Sequence, residues 1–144
     1  MRWTRNLGLA GIAAALIGGF TACGNRTAPL TEHKGSIIAL TDSILSAGGS
    51  DTVRFGRLHS GEIAVKQLWI ENRAARPTAV VSYDTDCGCT SLEFDAQPIR
   101  SGQAQRVALT FDSRGQHGWQ LKILDITLAE ASRPLRLFVE AEVE

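Results

Sequence analysis

Two cysteines one residue apart, flanked by acids, are the part of this chain best equipped for chemistry. The stretch is Y-D-T-D-C-G-C-T, Tyr83–Thr90. Cys87 and Cys89 in an extended strand share one face. Their Cα atoms then lie about 6.6 Å apart, at the upper edge of the disulfide range. Gly88 relaxes this if it takes positive φ and draws the chain into a tight turn. A bond formed under such constraint is of the more easily reduced kind, which makes a thiol-redox role chemically sensible. Against it, no Lys or His adjoins the pair to lower a thiol pKa, and Asp84 and Asp86 act in the opposite direction.

Metal binding is a second chemistry for the same residues. Two thiolates on one face suit a soft cation such as Cu(I), whereas structural zinc wants four ligands. The further ligand candidates are His59, His117, Asp84 and Asp86, and no spacing rule brings them together. The third reading is a structural turn, in which the cysteines pack as small hydrophobes or pair to rigidify a loop. Gly88 then supplies the backbone angle and Thr90 re-enters a strand. As carboxylates, Asp84 and Asp86 lack a third group that would make them acid–base machinery. The chain has no nucleophile elbow, phosphate loop or metal-hydrolase motif, and nothing calls for a cofactor. The sequence reading is therefore a non-enzyme.

The elements that must position this stretch read as strands. Ser36–Thr41 is an expected edge strand, and Ser46–Ser50 a turn or short loop. Val53 and Phe55 alternate with Arg54. In E-I-A-V-K-Q-L-W-I-E, Ile63 and Val65 have one parity and Leu68 and Ile70 the other, which predicts a β-bulge near Lys66–Gln67. Val80–Tyr83 runs into the cysteines, and Leu92 alternates with Phe94 beyond them. Val107, Leu109 and Phe111 alternate cleanly. Trp119–Leu128 is a long apolar strand with a second parity slip around Ile123–Leu124. Leu135, Leu137, Val139, Ala141 and Val143 then define one face of the last strand. Trp69 and Trp119 are expected to pack in the core, and His33, His59 and His117 to be solvated. No segment past the N-terminal region has a helical period. The expectation is an all-β, immunoglobulin-like antiparallel β-sandwich of about seven strands over residues 36–144. Its loops, with Asp84, Asp86, Gly88, Thr90, His117 and Trp119, form the candidate binding surface.

The N-terminal region has another character. Arg2 and Arg5 precede an apolar run, Leu7–Phe20, and small residues follow, the layout of a secretory signal. The run is shorter than the roughly 20 residues of a spanning helix. F-T-A-C, ending at Cys23, resembles the lipobox of bacterial lipoproteins. That resemblance implies cleavage after Ala22 and acyl chains on Cys23, with Gly24 favouring the outer membrane, facing either periplasm or surface. Residues 1–22 are then a signal, and 23–35 a flexible tether to a membrane-anchored domain. Cleavage takes Arg2 and Arg5 from the 15 basic residues and leaves a small acidic excess. No basic surplus remains to bind nucleic acid. With Cys23 lipidated, one cysteine pair is left, which excludes a disulfide-stapled miniprotein.

Several stretches in order resemble a bacterial domain-of-unknown-function family that carries a Cys-Gly-Cys-Thr motif on an immunoglobulin-like sandwich. They are D-T-V-R-F-G-R-L-H-S-G-E (51–62), W-I-E-N-R (69–73), D-C-G-C-T (86–90), P-I-R-S-G-Q (98–103) and L-T-F-D-S-R-G-Q-H-G (109–118). The resemblance implies a fold and an exported, often lipid-anchored setting, but no reaction. The functional expectation is a non-catalytic cell-envelope module that docks a protein or glycan. A metal-handling or thiol-redox module using Cys87 and Cys89 is the alternative.

Overall fold

The computed structural model describes His33 and residues 35–144. The expected signal, Cys23 and most of the tether lie outside the described residues. These contain eight strands and one short helix: β1 Ser36–Leu40, α1 Asp42–Ala47, β2 Gly49–Leu58, β3 Ile63–Asn72, β4 Val80–Thr85, β5 Thr90–Glu93, β6 Ala104–Asp112, β7 Gly118–Leu128 and β8 Leu135–Val143. They build two four-stranded sheets, ordered β1-β3-β6-β5 and β2-β8-β7-β4.

The all-β sandwich is as expected, with two departures. Pairing is not wholly antiparallel, since β1 runs parallel to β3 and β2 parallel to β8. β1 and β2 thus lie in different sheets, each parallel to its neighbour. The connector is α1, which periodicity missed because six residues make fewer than two turns. Its start is nonetheless written in the sequence, with Thr41 as N-cap accepting from the Ile44 N–H and Asp42 in the first turn.

The core lies between the sheets. Alternation in β8 buries Leu135, Leu137, Val139, Ala141 and Val143, and β6 contributes Val107, Leu109 and Phe111. β1 is an edge strand, as expected. Asn72 pins one end of the sandwich: it is fully buried, its Nδ2 donates to the Arg76 and Ile99 carbonyls at 2.8 Å each, and its Oδ1 accepts from the Ala74 N–H at 2.9 Å. Its backbone N–H donates to the Gln103 carbonyl, and its carbonyl accepts from Gly102. This is the physical content of W-I-E-N-R and P-I-R-S-G-Q: one buried amide ties both turns together.

Neither expected bulge in β3 or β7 exists. β3 pairs β6 without interruption from Ile63 to Glu71, and β7 pairs β8 likewise from Gly118 to Ile126. The register shifts fall instead at Arg54/Gly56 in β2 and Val80/Ser82 in β4. Gly56, with φ 80°, supplies the positive φ that such an irregularity needs. The parity breaks have another cause: Ile63, Val65, Trp119 and Leu121 face outward and are exposed.

Candidate functional site

The cysteine stretch joins the two sheets. The chain descends along β7 as β4, leaves at Thr85, reverses, and rises along β6 as β5 from Thr90. Short polar contacts hold the reversal. The Thr85 and Thr90 hydroxyls meet at 2.5 Å, the Thr90 N–H donates to the Cys87 carbonyl, and the Asp112 N–H donates to the Cys89 carbonyl. Thr90 is buried, as a residue re-entering a sheet should be.

Cys87 and Cys89 are joined in a disulfide with Cα atoms 5.1 Å apart. Both are half-buried, and Cys89 packs against the small apolar cluster of Leu58, Phe111, Ala141 and Val143. Gly88 does not take the expected positive φ, and a Cβ placed on it meets nothing within 4 Å. The turn is closed by the Thr90–Cys87 hydrogen bond and the sulfur bridge, so it makes no demand on a special glycine angle. Among the described residues no three His, Cys, Asp or Glu side chains converge as a metal cluster would.

The two aspartates differ. Asp84 is exposed and stands opposite Asp125, whose charge is met by Arg136 through two hydrogen bonds of 2.8 Å. That hydrogen-bonded guanidinium holds the Asp125 carboxyl below its usual range. Asp86 terminates a ladder. Its backbone N–H donates to the Ile123 carbonyl, and its Oδ1 accepts from the Ile123 N–H at 2.9 Å. Both backbone groups of Ile123 are thereby satisfied on the β4 side.

Beyond that point β7 has no neighbour on this side among the described residues. β4 pairs β7 only from Thr85↔Leu124 upward, while β7 starts at Gly118. No hydrogen bond from the β4 side reaches Trp119–Lys122 among the described residues. Trp119 is 62% exposed and Leu121 39%, so the expectation of a core Trp119 is wrong. β5 belongs to the other sheet. Beside Trp119 an open concavity of about 210 Å³ is lined by Arg54, Arg57, Glu140 and Glu142, with Arg54 and Glu140 paired at 2.8 Å.

His117 and His59 lie in exposed turns, as expected. The Gln120 amide donates to the His117 carbonyl, so the Arg114–Gly118 turn and the Asp86–Cys89 turn bracket the open part of β7. His33 is not solvated: its ring stacks on Trp69 with centroids 4.0 Å apart. Trp69 is half-buried, outside the inter-sheet core. The structure thus sets Asp86 against Ile123 of β7 and His117 and Trp119 at the start of that strand, with Cys87, Gly88 and Cys89 in the turn that follows Asp86. Leu121 and Lys122 escaped the sequence reading, although the parity break in β7 was their signature.

The sequence profile of the family described as Protein of unknown function (DUF1573) matches residues 48–143. No curated protein matches the chain at a significant level. Among solved structures, a protein of unknown function from Porphyromonas gingivalis W83 is similar at 21% identity and TM-score 0.55, over 65% of this chain and 44% of that one. The ASH/PapD-like domain 7 of human CEP192 is similar at 13% identity and TM-score 0.50, over 65% and 80%. Vibrio cholerae VesB protease is similar at 11% identity and TM-score 0.52, over 65% and 30%. At such identities the likeness is one of fold, a PapD-like and immunoglobulin-like sandwich. The matched part of this chain spans less than half of the P. gingivalis protein.

Proposed function

The chain belongs to the family of proteins of unknown function DUF1573, and from that premise we propose that it is a non-catalytic docking module of the bacterial cell envelope. In this reading Cys23 carries the lipid, residues 23–35 tether the sandwich, and the sandwich presents a surface to a protein or glycan. One observation carries it: large apolar side chains are exposed together, on strand segments that have no neighbour on one side among the described residues. Trp119 and Leu121 on β7 are one such group and Ile63 and Val65 on β3 the other. Exposed apolar groups concentrated in this way mark interaction surfaces more often than scattered ones do.

The turn supports a rigid presenter better than a metal carrier. The disulfide engages both sulfurs and leaves no thiolate for a metal, and among the described residues no three His, Cys, Asp or Glu side chains converge. The test is photo-crosslinking in intact cells. A photoreactive residue at Trp119 gives one discrete adduct, and the same residue at Arg76, in a remote exposed turn, gives none. Equal, diffuse labelling from both positions would refute docking. In the same cells Cys23→Ser releases the chain from the membrane fraction; unchanged membrane association would refute the anchor.

A further inference from the structure

The most informative feature of the open β7 segment is its backbone. Ile123 turns both its N–H and its carbonyl towards Asp86. In an antiparallel strand residues two apart point their backbone groups the same way. The N–H and carbonyl of Leu121 and of Trp119 therefore face the vacant side, while those of Gln120 and Lys122 face β8. The vacancy lies in line with β4, as though that strand had stopped early. Free backbone groups repeating about every 6.6–7 Å along one line are the complement of another peptide strand. A sugar or a small ion does not repeat at that spacing.

The side chains narrow the partner. Trp119 and Leu121 point outward, next to any added strand. Lys122 has the parity of buried Leu124 and Ile126, is half-buried, and has no ion-pair partner among the described residues. An inward-facing lysine at an edge opposes indiscriminate pairing, including pairing with a second copy. A strand bringing a carboxylate to it meets no such obstacle. The comparable segment of β3 is less available: the Lys66 ammonium already donates to the Arg54 carbonyl, and the His33 ring stacks on Trp69 of the same face.

We propose that Trp119–Lys122 of β7 accepts an extended segment of a partner protein as an added strand, antiparallel to β7, with apolar side chains beside Trp119 and Leu121 and an acidic side chain facing Lys122. This rests on the docking reading above and specifies its partner.

The probe is a library of random heptapeptides displayed on phage, selected on the full chain and re-measured as synthetic peptides. Two variants separate the outcomes. Leu121→Pro removes an N–H that the fold does not use, at an edge position that tolerates proline. Lys122→Glu reverses the selecting charge. The expected result is an enriched acidic residue followed directly by an apolar residue, with a second apolar residue two positions further on. Affinity falls at least tenfold in Leu121→Pro, whose thermal midpoint stays close to that of the parent, and Lys122→Glu re-selects basic peptides. Equal binding to Leu121→Pro, or an acidic preference untouched by Lys122→Glu, would overturn the assignment. So would no enrichment at all, or a native dimer that Leu121→Pro dissolves. A discrete Trp119 crosslink in cells together with any of these failures would leave docking standing and remove only the strand-addition site.

Discussion

Replacing Asn72 by Ala tests the structural account where its parts meet. The side chain is fully buried and makes three hydrogen bonds of 2.8–2.9 Å, two donated to the Ile99 and Arg76 carbonyls and one accepted from the Ala74 N–H. Each is worth about 1 kcal/mol net, and a buried group left without a partner costs about 1–3 kcal/mol. Two of the three bonds are fully buried, so truncation costs about 3–5 kcal/mol, a large share of the 5–15 kcal/mol typical of a domain. About 1 kcal/mol moves the thermal midpoint of a domain this size by about 4 °C, which gives a fall of about 12–20 °C. Asn72→Asp, nearly the same shape, fares no better at neutral pH because it aims a carboxylate at two carbonyl oxygens. Thermal and urea unfolding followed by circular dichroism reads the loss, with Arg100→Ala in the same exposed turn as the control, shifting by no more than about 0.5 kcal/mol. A loss below about 1 kcal/mol in Asn72→Ala would refute the claim that this amide holds the two turns together.

Other consequences can be checked on the same preparation. Replacing both Cys87 and Cys89 by Ser opens a three-residue loop, for which chain entropy gives about 1.5 kcal/mol, so the fold survives with a modestly lower midpoint; failure to fold would contradict this. Gly88→Ala changes stability by less than about 0.5 kcal/mol, because neither φ nor space opposes a Cβ; a larger loss measured by urea unfolding would show that the turn needs glycine after all. Asp125 has its carboxyl held low by the hydrogen-bonded Arg136, so its contribution to stability is present above the ordinary carboxylate range and is lost as pH falls through the lowered value. Arg136→Gln should therefore destabilise the protein at pH 6 more than in strong acid, and an equal loss at both would sink this assignment. Trp119 fluorescence should be readily quenched by iodide, and Trp119→Phe should abolish most of that quenching.

The sandwich was legible because burial on one face imposes alternation, and β6 and β8 obey it throughout. The short helix was not, because capping rather than period marks six residues, and Thr41–Asp42 was its only signal. Parallel pairing of β1 and β2 was hidden as well, since alternation is the same whichever way a neighbour runs. The misread bulges are more instructive. Apolar residues on both parities of β3 and β7 imitate a change of the buried face. The buried face stays constant; Ile63, Val65, Trp119 and Leu121 are apolar and outward. Outward residues do not answer to water alone: a strand that lacks a neighbour can keep apolar groups on its surface. The turn at Cys87–Cys89 was located correctly, and the expected kink at Gly88 was replaced by hydrogen bonding around Thr85 and Thr90.

Residue-resolved amide exchange by NMR on the free protein tests the open segment of β7 most directly. The account predicts alternation: the Gln120 and Lys122 amides, bonded to β8, exchange slowly, while those of Trp119 and Leu121 exchange orders of magnitude faster and the Ile123 amide, held by Asp86, is again slow. Uniform protection from Trp119 to Ile123 would mean that the edge is already occupied, and the docking strand would have no place to bind.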